Sequence, residues 1–313
     1  MKLSILIPAY NEENTIGDVI DEIPKNISGI DQIEIIVVDD GSNDKTALIS
    51  QKKGANVYSF TRNRGLAKAI SFGFSKSIEN GTDILIILDA DNQYDSKEIP
   101  KILHPILDNK ADIVLGDRQL KKLDHMSKQK KIGNRLASKV LSFVIGQKIH
   151  DGQTGFRAFN LEALKRLHIF SGYTYTQETI MQAKFKGLKI VEIPVAFRKR
   201  NDESRLISNI GSYAIRTLTI LISTIIFYKA VKFFGIISII FMGFGIGFSI
   251  FMINHFLTTG MIRPHYGALL LGVFFLITGA ISILMVIISS ISKRQSILLE
   301  EILYKLRTKK PDR

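Results

Sequence analysis

Two long uncharged apolar runs near the C-terminal end, 233–253 and 268–292, constrain the fold of this chain most. Each is longer than the roughly 20 residues that an α-helix needs to cross a hydrocarbon core about 30 Å thick. A buried core helix rarely continues this far without a charge. The runs therefore predict two membrane-spanning helices within 231–292, after a long segment in which apolar and charged stretches alternate as in a soluble domain.

The charges that flank the two runs predict how the chain is oriented. Lys229 and Lys232 precede the first run, Lys293 and Arg294 follow the second, and the link between the runs holds one basic residue, Arg263. Basic residues concentrate on the cytoplasmic side of membrane proteins. We therefore expect a two-span cell-membrane protein whose N-terminal domain and both termini are cytoplasmic, with 293–313 as a basic tail.

The net charge of +13 agrees with a membrane protein. Strongly basic chains commonly bind nucleic acid or an anionic surface, and two spans favour the surface. We expect no nucleic-acid partner. The absence of cysteine excludes thiol catalysis, disulfide bonds and cysteine-ligated zinc. The short, interrupted apolar stretch of the first ten residues is not that of a signal peptide.

The N-terminal segment alternates short β-branched runs with longer helical ones, which is typical of βαβ units. The predicted strands are 2–7, 33–38, 55–60, 84–88 and 112–115, and the predicted helices are 13–23, 45–53, 66–79 and 97–108. Strands that are mostly apolar and β-branched, such as 33–38 and 84–88, are typically buried in parallel sheets. The expected fold class is therefore α/β, with a doubly wound, mostly parallel sheet.

Polar clusters follow four of the predicted strands. In open sheets of this type, ligands bind beyond the carboxyl ends of the strands. The clusters are Pro8 to Glu12, Asp39 to Ser42, Asp89 to Asp91 and Gly116 to Arg118. Because the strands are expected to be parallel, the clusters are predicted to meet at one edge of the sheet and to form a binding site there.

The cluster after the fourth strand predicts a metal site. Asp89 and Asp91 stand two residues apart, and Gln93 adds an amide oxygen two residues further on. Hard divalent cations such as Mg²⁺ and Mn²⁺ take such oxygen ligands together with substrate phosphates. The alternative is that the two carboxylates only end the strand and cap the helix that begins near Ser96.

The first two clusters have both binding and structural interpretations. Asp39 is suited to accept hydrogen bonds from a nucleobase or a ribose, and Tyr10 to stack on a base. Alternatively, Asp39 to Ser42 form a turn and a helix cap, and Asn11 is a helix N-cap.

Together these motifs resemble glycosyltransferase family 2. They are Pro-Ala-Tyr-Asn-Glu at 8–12, Val-Asp-Asp-Gly-Ser at 38–42 and Leu-Asp-Ala-Asp at 88–91. The resemblance is greater to the branch of dolichyl-phosphate mannose synthases and polyprenyl-phosphate glucosyltransferases. It continues through Asp-Gly-Gln-Thr-Gly-Phe-Arg at 151–157 and Gln-Glu at 177–178, and it ends near Arg205.

The resemblance implies a GT-A fold over 1–204 and inverting transfer of a hexose from a nucleotide-sugar donor to a polyprenyl or dolichyl phosphate acceptor. The donor would be of the GDP-mannose or UDP-glucose type, with Mg²⁺ or Mn²⁺ as cofactor. The implied nucleotide-binding residues are Pro8, Ala9, Tyr10, Glu12, Asp39, Asp40 and Ala90. The implied metal ligands are Asp89, Asp91 and Gln93. The implied catalytic residues are Asp89, Asp91, Arg118 and Glu178. The residues implied to bind phosphate or acceptor are Arg118, Arg135, Thr154, Gly155, Arg200, Ser204 and Arg205.

Two positions depart from the family pattern. Asp202 stands where the family usually has glycine, which leaves open whether Arg198, Lys199 or Arg200 is the phosphate-binding cation. Asp117 replaces the small hydroxyl residue often seen before the arginine.

The chemistry of the acceptor gives a further expectation. An alcohol acceptor needs a general base, whereas a phosphate is already anionic at neutral pH and needs cations to hold it. Guanidinium groups suit this task. The candidates are Arg118, Arg135, Arg157, Arg198, Arg200 and Arg205, of which some are expected only to face solvent or lipid headgroups.

Two segments outside the predicted spans are suited to a bilayer surface. The segment 131–147 places apolar residues at helical spacing among basic ones, and it either lies in the interface or packs on the catalytic domain. The apolar segment 217–227 is too short to span, and it is expected to form an interfacial helix within 205–230.

Other functions remain open at this point. A processive polysaccharide synthase would usually have a Gln-x-x-Arg-Trp motif, and this chain has no tryptophan. The acceptor could instead be diacylglycerol or a glycosylated lipid. A catalytically silent nucleotide-sugar-binding subunit would not need Asp89 and Asp91. The sequence does not identify the sugar or the nucleotide, and it allows a homo-oligomer without specifying one.

Overall fold

The computed structural model describes residues 1–120, 123, 126, 128–169, 175–199 and 210–308. The chain forms two compact units, Met1–Ala214 with Arg307–Arg313, and Ile215–Leu306. The predicted acceptor residues Arg200, Ser204 and Arg205 lie outside the described residues, as does Asp202.

The first unit contains a seven-stranded sheet and seven helices among its described residues. The strands are β1 (Lys2–Ala9), β2 (Gln32–Asp39), β3 (Asn56–Ser59), β4 (Ile84–Ile87), β5 (Ile113–Asp117), β6 (Arg157–Asn160) and β7 (Ile190–Pro194). The helices are α1 (Ile16–Asp21), α2 (Thr46–Lys52), α3 (Leu66–Glu79), α4 (Ile99–Leu107), α5 (Lys128–Ile145), α6 (Leu161–Arg166) and α7 (Tyr175–Phe185). A 3₁₀ turn, Ser96–Glu98, precedes α4.

The strand order is β3-β2-β1-β4-β6-β5-β7. All neighbouring pairs are parallel except those that β6 forms with β4 and β5. Because β6 runs opposite to both of its neighbours, β5 has the same direction as β4. The mostly parallel α/β sheet is thus confirmed, and the carboxyl ends of β1, β2, β4 and β5 share one edge.

The core lies on both faces of β1 and β4, which explains why β4 is apolar throughout and β1 is mostly apolar. Leu3, Ile5 and Ile7 belong to one buried cluster together with Ile84 and Ile86. On the other face α3 approaches β1 closely, since a β-carbon on Gly73 would stand 2.3 Å from Leu6 Cδ1. Helices therefore cover both faces, as the doubly wound prediction requires.

The predicted helix 13–23 is shorter in the structure, where α1 begins at Ile16. The preceding backbone pairs with the loop after β2: Glu12 N donates to Thr46 Oγ1 at 2.8 Å, and Lys45 N donates to Glu13 Oε2 at 3.0 Å. Residues 13–15 form a turn before the helix, in which Thr15 N and Ile16 N both donate to Glu12 O.

The second unit contains most of the two long helices α8 (Ile210–Thr259) and α9 (Tyr266–Thr308). Its Lys229–Thr259 and Tyr266–Arg307 segments are long and apolar enough to cross a membrane, with mean hydropathy 2.4 and 2.7. Non-helical backbone at Lys229 separates the first of these from the preceding helical residues of α8. This break falls at the end of the segment 205–230 that was predicted to form a separate interfacial helix. The interfacial position itself stays a prediction.

Small residues allow α8 and α9 to pack closely within the second unit. A β-carbon on Gly245 would stand 2.7 Å from Leu276 Cγ, and one on Gly279 would stand 2.6 Å from Met242 Cγ. Ser238 Oγ donates to Gly279 O at 3.2 Å. Close approach at small residues and hydrogen bonds between helices are the usual means by which helices associate in lipid.

Candidate active site

Three residues at the shared carboxyl edge have left-handed backbone conformations. Asn11 follows β1 with φ 53°, Asn92 follows β4 with φ 55°, and Gln119 follows β5 with φ 50°. Among the described residues only one other non-glycine residue, Asn109, has a positive φ. Such conformations cost about 1–3 kcal/mol each and cluster at functional sites, so they mark this edge as the candidate site.

The loops after β1 and β2 are held together at this edge. Ser42 N donates to Asp39 Oδ1 at 3.0 Å, and Asn11 N donates to Ser42 Oγ at 2.9 Å. Gly41 allows the tight turn between them, because its φ is 76° and a β-carbon there would meet the Arg62 backbone at 2.5 Å. The turn interpretation of this cluster is therefore correct, and it is compatible with ligand binding at Asp39.

The two adjacent aspartates differ in what they contact. Asp40 accepts hydrogen bonds from Arg64 N at 2.7 Å and Gly65 N at 2.8 Å, which fixes the loop before α3. Asp39 is also buried, but its Oδ2 accepts no hydrogen bond from a described residue. Asp39 thus retains an acceptor for a ligand, whereas the Asp40 carboxylate already has a structural role.

The other predicted nucleotide-binding residues surround Asp39. Ala9 is opposite Asp39 in the β1–β2 register, and Pro8 is opposite Val38. Tyr10 follows directly and is partly exposed, and Glu12 is half-buried. The strand pairing thus brings this predicted set together at the ends of β1 and β2.

Asp89 stands at the centre of the edge, against the loop 151–155. A β-carbon on Gly155 would lie 2.5 Å from Asp89 Oδ2 and 2.6 Å from Oδ1, so only glycine leaves room for this carboxylate. Asp91 Oδ1 accepts a hydrogen bond from Gln93 N at 3.2 Å, and Ala90 between the two aspartates is buried.

The residues present fit a divalent cation that is shared with a substrate. Asp89 and Asp91 supply carboxylate oxygens, and the described residues contain no group of three or more His, Cys, Asp or Glu side chains around one point. Mg²⁺ and similar ions are commonly held by one or two carboxylates, with the remaining ligands from phosphates and water. The Gln93 side chain donates through Nε2 to Arg198 O at 3.3 Å, and its role as a metal ligand stays a prediction.

Tyr94 supports the loop that packs on Asp89. Gly155 N donates to the Tyr94 hydroxyl at 3.0 Å, and Thr154 Oγ1 lies 3.2 Å from the same oxygen. Tyr94 is fully buried, and burial raises its pKa to about 12. The hydroxyl therefore stays protonated at neutral pH and acts as a fixed hydrogen-bonding group.

Arg118 is oriented by Asp151 in a bidentate ion pair. Its Nε donates to Asp151 Oδ2 at 2.6 Å and its Nη2 to Oδ1 at 2.8 Å, while its guanidinium lies over the Phe197 ring. The Asp151 side chain is fully buried. Nη1 of Arg118 donates to no described residue, which leaves this nitrogen for a ligand.

The structure corrects the expectation that Arg157 is a candidate phosphate ligand. Its fully buried guanidinium donates to Thr154 O, Thr176 O, Thr179 Oγ1 and Gly152 O. Arg157 therefore links the loop 151–155 to the start of α7 through buried hydrogen bonds.

Arg198 is also engaged within the protein. Its Nη1 contacts Glu22 Oε2 at 2.8 Å and Asn92 Oδ1 at 2.7 Å, and its Nη2 lies 3.1 Å from Asp95 Oδ1. These contacts argue against Arg198 as the phosphate-binding cation that the departure at position 202 left open. Lys199 is exposed.

The remaining predicted residues lie on helices. Glu178 is half-buried in the first turn of α7 and accepts a hydrogen bond from Gln182 Nε2 at 3.3 Å. Arg135 is exposed on α5. Tyr94 and Asp151 were not among the predicted site residues. Asp151 begins the motif at 151–157, and Tyr94 directly follows Gln93.

Comparison with known proteins decides the family. The model for "Glycosyl transferase family 2" matches residues 4–168, which is more than half of the chain. The chain belongs to glycosyltransferase family 2. The resemblance that the sequence motifs suggested is thereby confirmed, and the protein is a glycosyltransferase.

Two curated proteins are similar over about two thirds of this chain. The dolichyl-phosphate hexose transferase of Haloferax volcanii is 30% identical over 213 residues, covering 68% of this chain and 90% of that protein. The dolichol-phosphate mannosyltransferase of Pyrococcus furiosus is 31% identical over 216 residues, covering 66% of this chain and 59% of that protein.

Solved structures confirm the GT-A-like fold. Glucosyl-3-phosphoglycerate synthase from Mycobacterium tuberculosis, crystallised with Mn²⁺, UDP-glucose and phosphoglyceric acid, has a TM-score of 0.57. It is 23% identical, and the match covers 70% of this chain and 79% of that one. At this identity the likeness shows the fold alone.

Proposed function

We propose that this glycosyltransferase transfers a hexose from a nucleotide-sugar to a polyprenyl or dolichyl phosphate. The observation that carries the proposal is the position of Arg118, a mostly buried guanidinium that Asp151 orients and whose Nη1 donates to no described residue. A cation held in this way at the carboxyl edge is suited to a phosphate.

The similar proteins support this acceptor class. The two relatives above act on dolichyl or dolichol phosphate by name, and a third, from Micrococcus luteus, is an undecaprenyl-phosphate mannosyltransferase that is 26% identical over 235 residues. A lipid phosphate also explains why a catalytic domain of this kind continues into two segments that can cross a membrane.

The donor is proposed to bind along the ends of β1, β2 and β4. Asp39 Oδ2 would accept a hydrogen bond from the nucleoside, and Tyr10 would stack on the base. Asp89 and Asp91 would hold Mg²⁺ or Mn²⁺ beside the diphosphate. The ion, when bound, neutralises the negative charge that builds on the leaving nucleoside diphosphate.

The proposed transfer needs no general base. An oxygen of the acceptor phosphate forms a bond to the anomeric carbon, and the bond from that carbon to the diphosphate oxygen breaks with its electron pair, which inverts the configuration. Arg118 would hold the acceptor phosphate against the repulsion of the donor diphosphate. The acceptor oxygen carries no proton at neutral pH, so none has to be removed.

The test is transfer of label from radiolabelled nucleotide-sugars to polyprenyl phosphate, using the full chain in detergent. The panel contains GDP-mannose, UDP-glucose and UDP-N-acetylglucosamine, each with Mg²⁺, with Mn²⁺ and with EDTA. We expect a mild-acid-labile lipid product from one donor and none with EDTA. Nucleotide binding without transfer to polyprenyl phosphate, but with transfer to diacylglycerol, would overturn the proposed acceptor.

Variants of Arg118 and Asp91 distinguish acceptor binding from donor binding. Arg118→Gln should raise the KM for the lipid phosphate by about tenfold or more, while the Kd for the nucleotide changes little. Asp91→Asn should instead weaken metal-dependent nucleotide binding. If Arg118→Gln lowered the affinity for the nucleotide and left the KM for the lipid phosphate unchanged, Arg118 would bind the donor and not the acceptor.

A further inference from the structure

Glu192 lies in the middle of β7 and contacts the loop that leads into the candidate site. Its Oε1 accepts hydrogen bonds from His150 N at 2.8 Å and from Asp151 N at 3.0 Å. Its Oε2 accepts from His150 N at 3.0 Å and lies 2.9 Å from His150 Nδ1. The Glu192 side chain is only 12% exposed. One carboxylate thus fixes the backbone of two consecutive loop residues.

The second of these loop residues is the one that orients Arg118. The fully buried Asp151 carboxylate accepts from Arg118 Nε at 2.6 Å, from Arg118 Nη2 at 2.8 Å and from Arg118 N at 3.2 Å. Two successive contacts therefore lead from Glu192 to the guanidinium. Both are hydrogen bonds to an ionised carboxylate, which are shorter and stronger than those between neutral groups.

The sheet explains why a residue of β7 reaches this loop. Glu192 is opposite Leu115 in the parallel β5–β7 register, and Arg118 directly follows β5. The chain before His150 also contacts β7, because Gln147 Nε2 donates to Ile190 O at 3.2 Å. The strand that carries Arg118 and the loop that orients it are therefore both attached to β7.

The other hydrogen bonds of this loop act one residue further along the chain. Gly152 N donates to Ser138 Oγ at 3.0 Å, and Gly152 O accepts from Arg157 Nη2 at 3.1 Å. Neither bond involves Asp151 N. Without Glu192 the loop should therefore stay folded, while the Asp151 backbone would lose the acceptor that fixes it.

We propose that Glu192 is a positioning residue of the transfer reaction, which holds Asp151, and through it the Arg118 guanidinium, in the orientation that binds the acceptor phosphate. This inference rests on the proposed role of Arg118. Because Oε1 alone accepts from both backbone N–H groups, the length of the side chain and this oxygen matter, and the charge does not. Small displacements of binding groups are sufficient to impair catalysis.

Three substitutions of Glu192 distinguish length from charge. Glu192→Gln keeps the length and a carbonyl oxygen with two acceptor positions, so the KM for polyprenyl phosphate should stay within about twofold of wild type. Glu192→Asp keeps the charge but is one methylene shorter, and Glu192→Ala removes the carboxylate. Both should raise this KM by about three- to tenfold, because Arg118 is no longer held in one orientation. No effect of either, or an active aspartate with an impaired glutamine variant, would overturn the proposal.

The matched control is Asp112→Ala, at the opposite end of the β5–β7 pair. Asp112 Oδ2 accepts from Lys189 N at 2.7 Å, and its Oδ1 accepts from Asn160 Nδ2 at 2.8 Å. This variant also leaves a backbone N–H without its acceptor, but it does so at the amino end of β5, whereas Arg118 follows the carboxyl end. Its KM for polyprenyl phosphate should equal that of wild type even where Tm falls. An equal rise in KM with Asp112→Ala and Glu192→Ala would overturn the proposal, since a general loss of stability would explain both.

A double variant tests whether Glu192 acts through Arg118. Glu192→Ala added to Arg118→Gln should change the KM no further, because the group that Glu192 positions is already absent. Multiplication of the two single effects would overturn the proposal, as would a rise in KM from Glu192→Ala with none from Arg118→Gln.

The same variants distinguish a failure of this inference from a failure of the proposed function. If Arg118→Gln lowered only the affinity for the nucleotide, the acceptor role of Arg118 would be wrong. Glu192→Ala should then lower nucleotide affinity in the same way, measured as the Kd for GDP and for UDP. Different substrates affected by Arg118→Gln and by Glu192→Ala would overturn the coupling between the two residues.

Discussion

Gly155 lies directly against Asp89, so that a β-carbon at position 155 would stand 2.5 Å from a carboxylate oxygen. Gly155→Ala should therefore displace the Asp89 carboxylate, because the end of a side chain moves more easily than the backbone of residue 155. Misplacement of a reacting group by about 1 Å can cost about a hundredfold in rate. We expect kcat/KM to fall by at least about tenfold while Tm changes little.

Gly17→Ala is the matched control for this variant. A β-carbon on Gly17 would meet Ile49 Cγ2 at 3.4 Å, an ordinary contact, and the residue lies inside α1 far along the chain from the loop 151–155. It should retain wild-type kcat/KM. Full activity of Gly155→Ala would show that Asp89 is not required in its present position.

The pair of Arg118 and Asp151 should contribute to stability as well as to activity. Asp151→Asn keeps the shape of the side chain but leaves the Arg118 guanidinium buried without its counter-ion. Removal of one partner from a buried pair costs about 3–5 kcal/mol. We expect a clear fall in Tm in detergent and a higher KM for the acceptor.

A double variant distinguishes the effect of an unpaired buried charge from a loss of packing. Arg118→Met combined with Asp151→Asn removes the unpaired charge, so it should be more stable than Asp151→Asn alone, although inactive. If the double variant were less stable by the sum of the two single effects, the charge of the pair would have no part in the loss.

Much of this arrangement could be predicted from the sequence. Strands β1, β2 and β4 are mostly apolar, and the helix 66–79 was predicted with its observed bounds. The placement of Asp39, Asp89 and Arg118 at one edge followed from the parallel sheet alone.

Other features depend on tertiary contacts that no local pattern records. Strand β6 was missed because it is four residues long and begins with Arg157, whose charge is buried only because four oxygen atoms of the loop 151–155 and of α7 accept its hydrogen bonds. The engagement of Arg198 by Glu22 likewise joins residues from opposite ends of the first unit. Long-range partners of this kind determine which arginines remain able to bind a substrate phosphate.

The pKa of Tyr94 predicts a pH dependence of stability. Burial raises this pKa from 10.0 to about 12, so the folded protein holds the phenol proton more tightly than the unfolded chain does. This contribution is fully present below pH 10 and is lost as the pH rises from about 10 to 12, by up to about 3 kcal/mol. Wild type should therefore lose more stability over this range than Tyr94→Phe.

Thermal unfolding at several alkaline pH values measures this difference. Tyr94→Phe should be less stable than wild type at pH 8, because Gly155 N then loses its acceptor at a cost of about 1–3 kcal/mol. The gap between the two proteins should narrow as the pH increases. A gap that stays constant from pH 8 to 12 would contradict the proposed ionisation of a buried phenol.

The flanking charges predict that the catalytic domain is cytoplasmic, and the lack of cysteine makes this prediction easy to test. Met261→Cys places a thiol in the link between α8 and α9, where the native side chain is 64% exposed, and His104→Cys places one on α4, where the native side chain is also exposed. Because Lys229, Lys232 and Lys293 border the spans, an impermeant maleimide should label position 261 in intact cells and position 104 only after permeabilisation. Labelling of position 104 in intact cells, with position 261 protected until permeabilisation, would reverse the orientation and place the domain outside.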